Sequence, residues 1–161
     1  LRNKTSWRFN RHKEIAMTTD FPASSAPLSP SDERTWAMLA HYSILLNLIT
    51  GLLGVPVPLV IYFIYKDRSA YVANQAMQAF LFQLLWWIGG GALIAFVWIV
   101  TTILIAFLIG LLCIPIAILI SFIPLVAIVY GVYGGVKCNQ GEDFRYWLVG
   151  DWVSGSFTPA P

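Results

Sequence analysis

His41 is the only histidine within an apolar stretch of this 161-residue chain, and its chemistry sets the first question. An imidazole inside a membrane can ligate a haem iron or a chlorophyll magnesium, or relay protons. A paired haem site needs a second imidazole, and His12, the other histidine, stands in a basic tail. The expected role of His41 is therefore a hydrogen-bonded helix-packing residue near a membrane boundary, with no cofactor. Asn74, Gln75, Gln78 and Gln83 form a second polar group. On a helix Asn74 and Gln78, and also Gln75 and Gln78, lie one turn apart. Unpaired amides are costly in an apolar medium, so they are expected to join helices to one another. Ala73, Ala76 and Ala79 beside them permit close approach. Lining a polar path for a transported substrate is the alternative.

The remaining candidates are weaker. Cys113 and Cys138 have no partners at metal-ligand spacing and read as reduced thiols. Gly89, Gly90 and Gly91 lack the strand, lysine and acid of a phosphate loop. No nucleophile–base pair, metal-ligand cluster or pair of intramembrane acids occurs, so no catalytic or metal site is expected and the chain does not read as an enzyme. Gly131 and Gly135, with Gly134 between them, and Gly91 with Ala95 have the small-residue spacing of close helix contacts, repeated at Ala117 and Ser121. Lys66, Arg68, Lys137, Arg145, Tyr146 and Trp147 are the residue types expected at a headgroup boundary.

The elements that must position these residues follow from composition. The chain is 58% hydrophobic and 11% charged, against about 25% charged in soluble domains. From Ser69 to Val136 there is no Asp, Glu, Lys or Arg. As helix that run would be about 100 Å long, several times a hydrocarbon core of about 30 Å. Its segments are apolar on every side, without the alternation of a barrel strand. The class expected is an all-α polytopic membrane protein of four helical segments, the first two short.

Residues 1–30 read as a polar, flexible tail, the first 16 carrying a charge of +4. Because Met17 offers a second start, residues 1–16 are expected to be an upstream extension and dispensable for insertion. A basic tail suits anionic lipid and is too little to argue for nucleic acid. Ser29, Pro30 and Asp32 make a helix start. Residues 31–147 form the helical membrane domain and 148–161 a C-terminal tail. The first apolar segment ends near Ile49, and Gly51, Gly54, Pro56 and Pro58 suggest a turn or sharp kink before the second. Val100–Thr102 and Gly110–Pro115 compete for the turn between the third and fourth. Four segments place every basic residue on one side, so both termini and the 66–68 turn are expected to be cytoplasmic in a bacterial inner membrane.

Three stretches carry a family resemblance: SDERTWAMLAH (31–41), YKDRSAYVANQAMQAFLFQ (65–83) and GGVKCNQGEDFRY (134–146). Their order and spacing resemble a bacterial family of small membrane proteins of unknown function. That family is related to the small membrane subunit of the Tic protein-import machinery of the chloroplast inner envelope. The resemblance spans about residues 31–147 and implies a four-helix membrane fold. The segment from Trp98 to Pro124 is longer and more apolar than the family pattern. The function expected is a non-catalytic accessory, assembly or stabilising subunit of a larger respiratory, photosynthetic or translocation complex, in contact with lipid and other membrane proteins. The alternative is a transporter or protein-translocation component.

Overall fold

The structure is a computed structural model and describes residues 26–157, which contain helices and no strand. Most of the expected tail, with the suggested extension over residues 1–16, lies outside the described residues. Helix α1, Pro30–Tyr42, starts where the sequence predicts. The Ser29 hydroxyl accepts from the Asp32 amide at 3.2 Å and donates to its carboxylate at 2.7 Å, and Pro30 takes the first turn, where its missing N–H is not needed. A tighter turn over Ser43–Leu45 leads into α2, Leu46–Thr50. Gly51, at φ +79°, stops it, because a residue without Cβ enters that region freely. Helix α3, Pro56–Tyr65, then runs back, so the Gly/Pro cluster makes a hairpin rather than a kink.

Ser69 caps α4, Ala70–Leu84, by accepting from the Val72 amide. A π-helical turn, Leu85–Gly89, passes directly into α5, Gly90–Ile105. Helices α6, Gly110–Ser121, and α7, Ile123–Asn139, return with a break at Phe122. Helix α8 is Gly150–Phe157, within the stretch read as a C-terminal tail. Two continuous runs, Ala70–Ile105 and Gly110–Asn139, are long and apolar enough to cross a membrane. With 10 residues, α3 is too short to span about 30 Å.

Helix α1 is central. It packs on α7 and α4 and more lightly on α3, while α3 and α8 lie against α4. Alanines allow this: Ala37 and Ala40 on α1 and Ala73, Ala76 and Ala79 on α4 are all buried. By contrast, α5 and α6 pack mainly on each other and form an outer hairpin with Phe96, Phe107, Leu112 and Leu119 exposed. Its turn lies at residues 106–109, between the two sites weighed from sequence. The reason is Gly110: a Cβ there would stand 2.5 Å from the Thr101 carbonyl oxygen and 2.7 Å from the Leu104 carbonyl carbon. The chains can meet this closely only at a glycine, and Leu108 turns the corner in the left-handed region at φ 60°.

All described charges gather at the opposite end of the bundle from this turn. There Ser69 donates to Glu33 at 2.6 Å, Gly141 lies under the Arg34 guanidinium, and the Tyr71 hydroxyl donates to the Glu142 carbonyl at 2.9 Å. Lys137 pairs with Glu142 at 3.0 Å, and Arg145 lies 3.4 Å from Asp143 and 3.9 Å from Asp151.

Candidate functional site: a buried polar network

The polar side chains of the apolar segments converge. His41, on the inner face of α1, is fully buried. Its Nε2 lies 3.0 Å from Gln75 Oε1 and its Nδ1 2.9 Å from the Tyr146 hydroxyl. The amide nitrogen of Gln75 donates to Asp143 at 2.8 Å and to the Phe144 carbonyl at 3.0 Å, which leaves Oε1 as acceptor. The tautomer follows: Nε2–H donates to Gln75, and Nδ1 accepts from Tyr146. The Cys138 thiol also donates to Gln75 Oε1, at 3.3 Å.

Tyr146 closes the site. The irregular segment 142–146 carries it under the end of the bundle, where it is 2% exposed and stacks on Phe82 at 3.9 Å between centroids. Its backbone amide donates to Gln78 Oε1 at 3.1 Å; Gln78 donates to Asn74, and Asn74 to Ser154 of α8 at 3.4 Å. Burial, with Cys138 and Tyr130 as lesser contributors, holds the Tyr146 phenol well above its usual range, so it stays a donor to His41. Phe144 packs edge-on against His41, Tyr130 and Tyr133.

A second cluster lies deeper. Asn47 donates to Gln83 at 3.1 Å, Gln83 donates to Ser43 at 2.9 Å, and Ser43 donates to the Ala40 carbonyl at 2.8 Å. Asn47 also accepts from the Gly54 amide at 2.7 Å and so pins the α2–α3 turn. Among the described residues, the only buried side-chain nitrogen or oxygen without a partner is Trp86 Nε1, within the π-turn.

The four amides singled out from sequence thus belong to two networks. Gly131, Gly134 and Gly135 form one face of α7 against α1. A Cβ at Gly131 would meet Ile44 at 3.0 Å, one at Gly134 would meet Phe144 at 2.7 Å, and one at Gly135 would run into the Tyr42 ring. Gly91 has nothing within 4 Å of a built Cβ and Ala95 is exposed, so neither packs within the described chain. Lys66, Arg68, Lys137 and Arg145 lie at the charged end. Trp147 is 84% exposed, but Tyr146 beside it, expected at the same boundary, is interior. Sequence reasoning missed Asn47, Ser43, Asp143 and Phe144. Only Asn47 carried a signal, as an amide inside the first apolar segment.

The arrangement favours rigidity over reaction. The lone pair of the His41 tautomer already accepts a hydrogen bond, so ligation would require displacing Tyr146. No group of three or more His, Cys, Asp or Glu is placed to hold a metal among the described residues.

A family profile described as the magnetosome magnetite crystal formation protein family matches residues 32–153, which include every member of the two networks except Ser154. No curated protein and no solved structure matches the chain.

Proposed function

The chain belongs to the magnetosome magnetite crystal formation protein family, and from that premise we propose that it serves crystal formation as a non-catalytic membrane component that assembles with other membrane proteins. The observation that carries this reading is the closed network of His41, Gln75, Gln78 and Tyr146. Side chains able to do chemistry hold one another and fix four helices and the 142–146 segment in one arrangement. Such an object suits a scaffold.

The topology belongs to the same proposal. The chain enters the membrane as two hairpins, α1–α3 and α4–α7, with both termini and the 66–68 turn cytoplasmic. Supporting this, the described charges stand at one end and the turns at Gly51 and Phe107 carry none. In that orientation the carboxylates face away from the enclosed mineral. The chain then acts on the crystal through its protein contacts, and not by templating iron with acidic side chains.

The test is expression of the full chain, tagged, in a magnetite-forming bacterium deleted for its own family members. Crystal size is read by electron microscopy, and co-purifying membrane proteins by mass spectrometry. Restored crystals with a stable membrane-protein partner are expected, and His41→Leu should lose both. Restored crystals from a chain recovered alone would overturn the assembly reading. The translocation alternative, which rests on the plastid-import resemblance, would gain if Gln78→Leu kept the complex but blocked passage of a substrate.

A further inference from the structure

The face between α1 and α3 holds an apolar groove of about 560 Å³, the size of a small-molecule site. Trp36, Leu39 and Leu46 form one wall, Val57, Val60 and Ile64 the other. The two helices are antiparallel, so the groove follows their axes. Trp36 and Ile64 stand at its charged end, Leu46 and Val57 at its deep end. From Trp36 to Leu46 it runs about 15 Å at the helical rise. Its walls present almost no polar surface; Ser43 lies on the floor with its hydroxyl already donated to the Ala40 carbonyl. Leu39 is 40% and Val60 55% exposed, so the groove opens sideways along its length.

The shallow end is cationic. Lys66 caps the C-terminus of α3, its ammonium 5.9 Å from the Phe63 ring centroid and outside every ion pair among the described residues. Arg68 lies over the Tyr65 ring at 5.7 Å, and Tyr65 packs on Trp36 in a tilted arrangement, 4.8 Å between centroids. The guanidinium is thereby tied to the groove wall through two aromatic rings. It uses Nε on the Ala26 carbonyl, and its terminal nitrogens make no hydrogen bond or ion pair among the described residues. Asp67 between them leaves the turn with one net positive charge.

We propose that this groove is a binding site for one acyl chain of an anionic phospholipid, whose phosphate sits at Lys66 and Arg68. Three properties select that occupant. The groove is apolar along a chain-like length, it runs parallel to the helices, and its cations lie at one end only. An extended peptide would need partners for its backbone polar groups, and the walls supply none. A zwitterionic lipid fits the groove but gains less from the cations. Arg68 can grip a phosphate through two parallel N–H donors, whereas Lys66 acts as a point charge.

Native mass spectrometry of the full chain in mild detergent tests the site, with palmitoyl-oleoyl phosphatidylglycerol and phosphatidylcholine added in turn. The expected result is one phosphatidylglycerol retained in preference to phosphatidylcholine. Lys66→Gln and Arg68→Gln should each weaken retention about fivefold, the worth of one basic residue near a charged surface. Val60→Trp should fill the groove and abolish retention of either lipid, whereas Val129→Trp, at an exposed position of α7 away from the groove, should leave it unchanged. Thermal unfolding of each variant reports whether the fold survives; if Val60→Trp unfolds, Leu39→Trp replaces it. Equal retention of the two lipids, or retention indifferent to the tryptophan in a folded variant, would overturn the proposal. So would a tryptophan variant that changed the oligomeric mass and left lipid retention intact, since the groove would then be a contact between copies.

Discussion

His41 is held at both ring nitrogens, so leucine in its place strands the Tyr146 hydroxyl and removes one donor from Gln75 in a site sealed from water. An orphaned buried polar group costs about 1–3 kcal/mol, and His41→Leu should lower the unfolding free energy in mixed micelles by about that amount. A cofactor ligand would behave otherwise: the variant would lose a visible absorption band and keep its stability. The glycines make a graded series. At Gly134 a methyl meets the Phe144 ring, which Tyr130, Tyr133 and His41 hold in place, and Gly134→Ala should cost about 1–3 kcal/mol. At Gly131 the obstacle is the Ile44 side chain, which can shift, so the loss should be smaller. Gly91→Ala meets nothing and should raise helix stability by about 0.5–1 kcal/mol. A loss there, read in the same unfolding assay, would mean that another chain approaches that glycine.

At the scale of elements, the outer hairpin depends on one close approach. Gly110→Ala forces the backbones of α5 and α6 apart, and spin labels at Ile99 and Leu112 should report a wider separation with the bundle intact. The hairpin's existence was legible in the sequence, because an uncharged run from Ser69 to Val136 has to fold back on itself. The position of its turn was not: Thr101, Gly110 and Pro115 are all plausible breakers by type, and only the backbone distance selects Gly110. The α1–α3 hairpin was legible for a different reason, since Gly51 and Pro56 are residues whose backbone preferences stop one helix and start the next. The site was half legible. Amides at 74, 75, 78 and 83 had to find partners somewhere. That those partners include Tyr146 and Asp143 could not be read, because segment 142–146 is irregular and has no period to tell inward from outward. Of the two adjacent aromatics expected at a headgroup boundary, Trp147 is exposed, whereas Tyr146 turns inward to cover the network.

Over the whole molecule, length and polarity disagree. The 36 residues from Ala70 to Ile105 rise about 54 Å, against about 30 Å of hydrocarbon and usual tilts of up to about 40°. The π-turn at Leu85–Gly89 and the break at Phe122 are where the pair can bend to fit. Cysteines at Asp67, Gly51 and Phe107 read the outcome: an impermeant thiol reagent on the cytoplasmic face should label only Asp67→Cys. Labelling of Asp67→Cys and Gly51→Cys from the same side would sink the proposed two-hairpin topology. The same polarity bears on biogenesis. Moving a charged side chain to the middle of a bilayer costs about 2.5–3.5 kcal/mol, and the leading tips at Gly51 and Phe107 carry no such charge. In the proposed topology each hairpin would therefore enter from the cytoplasmic face with an uncharged tip leading. With that topology no charged loop among the described residues has to be carried across the bilayer.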